Sequence, residues 1–277
     1  MGIVRTVEWK LNCPPQETDV RLRQAFEGLG LDPDGPFGSI RGRAKRSMLK
    51  NRWAAEVNAS VVPSEAGSIA VCRVDMAGNK HYALLDELAA AVGDDVFEDR
   101  GVSGAVERLG KASRMFGRKE VRHLKNVLRA SEEVRELGQG QYSGKNGLVV
   151  LSNERLFFFE KSLGAETLEE FPLTVISSLS VNKKFTGETL KIHASGNSAE
   201  ISSMMHGQGD ALVRAFHVAK PPSAAVMASA PSPAPAPATP TADDPIAQLE
   251  RLAELRDKSI ISEEEFATKK AEILARL

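Results

Sequence analysis

The sequence predicts a modular α+β protein, and three observations carry that prediction. Residues 1–95 follow a β-α-β-β-β-α order. Residues 132–220 are dense in short strands and close on one helix, with a basic helical connector at 96–131 before them. A Pro- and Ala-rich run at 221–243 then separates both from a pair of short helices at 244–277. With 277 residues and 42% apolar content, the chain has material for one to three ordinary cores.

The first segment opens on "IVRTVEW", which suits a strand, and "ETDVRLRQAFEGLG" places Leu22, Ala25, Phe26 and Leu29 at helical spacing until Gly30 ends the pattern. A second strand is expected over Ser39 to Lys50, where the alternation is least regular. From Trp53 the period becomes two, with Trp53, Ala55, Val57, Ala59 and Val61 on one face until Pro63 breaks it. After the turn "SEAGS", Ala70, Cys72, Val74 and Met76 share a side; "GN" then precedes the helix "KHYALLDELAAAV". Two helices on one face of a small antiparallel sheet is the compact arrangement of such elements.

The stretch from Gly101 to Ser131 reads as helical and basic, with Arg108, Lys111, Arg114, Arg118, Lys119, Arg122, Lys125 and Arg129. A basic amphipathic helix can lie on anionic lipid or nucleic acid. The favoured reading is a connector whose stripe of Val121, Leu124, Val127 and Leu128 packs on a neighbouring domain, since surface helices commonly carry a charged outer face.

In the third segment, "GLVVLSNERLFFFEKS" is two apolar runs joined by the polar turn "SNER", a tight hairpin. "LEEFPLTVISSLSVNKK", "TLKIHAS" and "AEISSM" supply further strands, and "GDALVRAFHVAK" a helix with Leu212, Val213, Phe216 and His217 on its buried stripe. Gly147, Ser152, Asn153, Arg155 and Phe157 to Phe159 resemble the first hairpin of a bacterial pleckstrin-homology-like domain of the YokE type, akin to GRAM domains. That resemblance implies a bent antiparallel sheet of about seven strands capped by a helix. It does not by itself imply a phosphoinositide ligand, because function lives in sites rather than folds. Lys183 and Lys184 are the nearest basic pair, in a turn that reads as a solvated loop.

The run from Pro221 to Pro245 contains no aromatic residue and reads as a linker stiffened toward polyproline II, reaching on the order of 70 Å. Asp244 then caps a helix starting at Pro245, with Leu249, Leu252 and Leu255 in one stripe. Ser262 and Glu265 form the capping box of a second helix bearing Phe266, Ile273, Leu274 and Leu277, after a turn with Ile260 and Ile261. The stretch "DDPIAQLERLAELRDKSIISEEEFATKKAEILARL" resembles the short C-terminal domain SHOCT over its full length, with Ser259 where the family has Gly. Fewer than about 40 residues bury too little apolar surface to fold alone without a metal, a disulfide or a partner. Leu249, Leu252, Leu255, Ile260, Ile261, Phe266, Ile273 and Leu274 are therefore the expected docking residues, covered by a protein partner or by a second copy.

Net charge is −1, so no global field favours polyanions or membranes. No apolar run approaches the roughly 18 residues of a spanning helix, and the N-terminus lacks a secretory signal, which points to the cytoplasm. Gly2 and Thr6 fit a myristoylation pattern too short to be specific. Cys13 and Cys72 read as reduced, buried thiols. The five histidines stand apart from any metal-ligand spacing, there is no P-loop, and "DPDG" reads as a plain turn; neither a metal nor a cofactor is expected. The densest charge is Arg41, Arg43, Lys45, Arg46, Lys50 and Arg52, with only Trp53 beside it for stacking, so nucleic acid is disfavoured. The expectation is a non-enzymatic binding and assembly protein. Peripheral association with anionic membrane is the alternative, and an N-terminal enzyme, with Trp53 and His81 as its unusual residues, is a third.

Overall fold

The computed structural model describes residues 2–49, 51–110, 118–162 and 165–220. Strands β1 (Ile3–Leu11), β2 (Ser39–Ala44), β3 (Ala55–Ser64) and β4 (Gly67–Met76) form an antiparallel sheet in the order β1-β4-β3-β2. Helices α1 (Pro15–Gly28) and α2 (His81–Val92) pack into one core with it, where Leu22, Phe26, Leu84 and Leu88 meet Trp9, Val57 and Cys72. Helix α1 starts on Pro15, whose missing N–H would have had no partner in the first turn anyway. Strand β2 passes so close to the end of α1 that a Cβ on Gly42 would lie 2.5 Å from the Leu31 carbonyl oxygen, and only glycine fits.

Two expectations for this sheet need correction. Strand β2 ends at Ala44 instead of running to Lys50, because the chain turns there into a projecting loop. Trp53 precedes β3 and is half-exposed, so the buried alternation begins at Ala55. Ala55, Val57, Ala59 and Val61 on β3, and Ala70, Cys72, Val74 and Met76 on β4, are buried as the period-two pattern predicts.

The connector is broken rather than one helix. A 3-10 turn (Asp94–Val96), α3 (Val102–Arg108), α4 (Arg118–His123) and a second 3-10 turn (Leu124–Asn126) follow one another. Leu109 leaves α3 in extended backbone, and residues 129–131 form a turn before the next strand.

A seven-stranded antiparallel sheet follows. It comprises β5 (Val134–Tyr142), β6 (Lys145–Ser152), β7 (Arg155–Ser162), β8 (Ala165–Pro172), β9 (Ile176–Lys184), β10 (Gly187–Ala194) and β11 (Asn197–Met204), in the order β8-β7-β6-β5-β11-β10-β9. Helix α5 (Gln208–Ala219) packs Leu212 and Phe216 against Val149, Leu151, Leu156, Phe158, Leu190 and Ile201. His217, expected on that stripe, is exposed instead, because Leu212 and Phe216, four residues apart, already define the face turned to the sheet.

The opposite side of β5–β7 is also apolar. Leu148, Val150, Phe157 and Phe159 are covered by Ala105 from α3, by Leu109 just beyond it, and by Leu124 and Leu128. Strands β6 and β7 are thus buried on both faces, which is why their sequences are unbroken apolar runs rather than alternations. Arg155, read from the sequence as part of a polar turn, lies buried between these layers. Its Nε and Nη2 donate to the two oxygens of buried Glu132 at 2.7 Å each, and Nη2 also donates to the Val127 carbonyl at 2.9 Å. Burial alone would push the Glu132 carboxyl up, but the Arg155 guanidinium, the Arg129 N–H and the Ser152 hydroxyl outweigh it and hold it below the usual range.

Candidate functional site

The loop between β2 and β3 is built as a small finger. Ser47 and Arg52 exchange two backbone hydrogen bonds at 2.9 Å each, and the Asn51 N–H donates to the Met48 carbonyl with Asn51 at φ 44°, which closes the turn. Asparagine tolerates that left-handed conformation better than most side chains. At the tip, Met48 is 85% and Leu49 102% exposed. At the base, Arg52 is withdrawn to 7% exposure, with Nη1 donating to Glu87 of α2 at 3.0 Å. The Arg46 guanidinium lies 4.4 Å over the ring of Trp53, which is 51% exposed. Arg46, Ser47, Met48, Asn51, Arg52 and Trp53 enclose a cleft of about 190 Å³.

Of the basic residues nominated from the sequence, Arg41, Arg43, Lys45 and Arg46 are exposed and hold no ion pair among the described residues. Arg43 stands across the sheet from Glu56. Arg52 is a buried anchor, and Lys50 lies outside the described residues. The apolar tip carries no signal in the sequence, because Met48 and Leu49 in a basic run fit an irregular strand equally well.

A second cavity, of about 690 Å³, opens where α2, the 97–102 segment, α4 and β7 meet. On its wall Asp86 accepts hydrogen bonds from Asn126 Nδ2 at 2.6 Å and from Lys161 Nζ, and lies 2.6 Å from His123 Nδ1. Asn126 in turn accepts from the indole of buried Trp9 at 2.7 Å. Burial would raise the Asp86 carboxyl, but hydrogen bonds from His123 and Lys161 prevail and hold it low. These groups make contacts that run between the two sheets and join β1 and α2 to β7. No sequence motif announced them: each is a single polar residue at the border of an apolar run.

His81 is buried, with Nε2 2.6 Å from the Ile3 carbonyl oxygen and 3.1 Å from that of Met76, a structural position that ties α2 to β1 and β4. Lys183 is paired with Asp210 at 2.6 Å, beside the fully exposed Phe185. Among the described residues no three or more His, Cys, Asp or Glu side chains gather as a metal site, and no helix is long and apolar enough to cross a membrane. Leu249, Leu252, Leu255, Ile260, Ile261, Phe266, Ile273 and Leu274 lie outside the described residues.

Comparison with known families agrees with the two resemblances read from the sequence. No curated protein matches the chain. Residues 128–217, from the end of the connector through α5, match the family model of the bacterial PH domain. Residues 247–274 match that of the short C-terminal domain, so the chain joins a stretch similar to a bacterial PH domain to one similar to a SHOCT domain.

Proposed function

We propose that this is a modular interaction protein of the cytoplasm, in which the C-terminal stretch docks or oligomerises the chain and the folded body presents the binding surfaces. The observation that carries the reading is the pairing in one chain of a bacterial PH-like stretch with a SHOCT-like stretch, with a Pro- and Ala-rich run between them. Both are interaction types rather than catalytic ones. A helical pair of this length has too little core to stand alone, so its Leu, Ile and Phe stripe has to be covered by another surface. A tether of the 221–243 kind then raises the effective concentration of the docked pair near the body, turning weak contacts into avid ones.

Sedimentation velocity on the full chain and on a chain lacking residues 242–277 tests this, together with the double substitution Leu252→Asp, Leu255→Asp. The full chain is expected to sediment as an assembly of two or more copies, and both altered chains as monomers. The same mass for all three would rule out self-association through this stretch.

A further inference from the structure

We propose that the β2–β3 finger docks the protein on anionic membrane, with Met48 and Leu49 entering the acyl boundary and a lipid phosphate seated in the cleft between Arg46 and Arg52. This surface belongs to the first sheet and stands apart from the role of the C-terminal stretch.

Four features of the finger converge on that partner. Met48 and Leu49 are adjacent, exposed and held by a hydrogen-bonded turn, so inserting them requires little new ordering. Residues 39–55 contain six basic residues and no acid, and the exposed ones are not neutralised by ion pairs among the described residues. Each Lys or Arg near an anionic surface contributes attraction of its own, and a basic collar around an apolar tip matches the charge order of a bilayer, with anionic headgroups outside and hydrocarbon within. Trp53 lies half-exposed beside the tip, and an indole favours the headgroup level.

The fourth feature is in the cleft itself. Arg52 is more than nine-tenths buried, and its Nε has no hydrogen-bond partner among the described residues, although Nη1 is engaged by Glu87. A buried guanidinium N–H without an acceptor is costly, and a phosphate oxygen entering beside Arg46 and Asn51 is the acceptor this lining suits. A protein partner would need a far larger surface than two side chains, about 800 Å² per side for a stable complex. Single-stranded nucleic acid would use Trp53 and the arginines but has no use for an aliphatic tip.

Flotation of the full chain with vesicles of phosphatidylcholine alone, or of phosphatidylcholine and phosphatidylglycerol in equal parts, tests the proposal. Binding is expected only to the mixed vesicles. Met48→Ser with Leu49→Ser, and separately Lys45→Ala with Arg46→Ala, should each weaken it by about tenfold. All four positions are exposed, so the fold should survive, which circular dichroism checks. Trp9 is buried, so a blue shift of tryptophan emission on adding mixed vesicles reports Trp53. Equal binding to neutral vesicles, undiminished binding by the Met48, Leu49 variant, or no binding at all would overturn the proposal. Release by free inorganic phosphate at constant ionic strength would assign the cleft to a soluble anion and overturn it likewise. Tighter binding of the chain to a single-stranded oligonucleotide than to mixed vesicles would do the same.

Discussion

Arg155 shows how much one side chain can decide. Its guanidinium meets Glu132 through two hydrogen bonds, a third contact reaches Glu170 at 2.7 Å, and the ring of Phe157 lies 4.6 Å beneath it. Removing one partner of a buried pair strands the other charge, so Arg155→Ala is expected to cost about 3–5 kcal/mol in urea unfolding. Replacing both, Arg155→Met with Glu132→Leu, should recover most of that loss. The pair also sets an acid limit. Glu132 and Asp86 both have carboxyls held below their ordinary values, so the stability they contribute is complete above the unfolded carboxylate range, about pH 4, and is lost as pH falls through their folded values. Urea midpoints followed from neutral pH downward should drop in that window, and Glu132→Gln should flatten the decline while lowering the neutral-pH value. The buried Cys72 thiol is pushed up by burial and should stay inert to thiol reagents in the native chain. Arg155 was not legible as a core residue, because Asn and Arg between two apolar runs is what an exposed hairpin turn also looks like. Its carboxylate partner lies 23 residues away, a separation with no local signature.

At the scale of elements, α5 is capped from outside itself. Gly207 precedes it with φ 88° and no capping side chain, and the carboxylate of buried Glu188, on β10, accepts from the N–H groups of Gly207 and Gly209 at 2.8 Å each. A negative group at a helix N-terminus complements both the unpaired N–H groups and the dipole. Glu188→Ala should therefore cost about 1–2 kcal/mol and speed hydrogen exchange in the first turn of α5 more than in β6. A tightly packed hairpin constrains Gly147 as well, since a Cβ there would come 2.5 Å from the Phe159 carbonyl oxygen and from the Phe158 ring. Most elements could be read ahead of the structure, because period-two and helical spacing act locally: β3, β4, α2 and the β6–β7 hairpin all follow their patterns. The connector misled because charge and helix-forming residues continue through Gly110 and beyond 128, while its ends are fixed by contacts with sheets on either side. The finger was hidden for a related reason, since neither its Ser47–Arg52 bridge nor the Arg52 anchor on α2 is visible in spacing.

For the molecule as a whole, the described residues form one compact unit. Trp9, Asn126, Asp86 and Lys161 link β1 to β7, the Ala130 N–H donates to Glu8 at 2.8 Å, and the Val134 N–H donates to the Arg100 carbonyl at 2.8 Å. Strand β5 thus starts on a segment that also closes the first sheet. The covering of Leu148, Val150, Phe157 and Phe159 by residues as early as Ala105 has a practical consequence. The stretch resembling a bacterial PH domain begins at 128, after most of that lid, so a polypeptide cut at that boundary would present a bare hydrocarbon wall to water. It should precipitate or bind hydrophobic dyes, whereas one beginning at residue 97 should remain dispersed. A boundary drawn by likeness to a family is therefore not the boundary at which this half can be transplanted: its roof is inherited from the preceding residues, and any graft must carry them along.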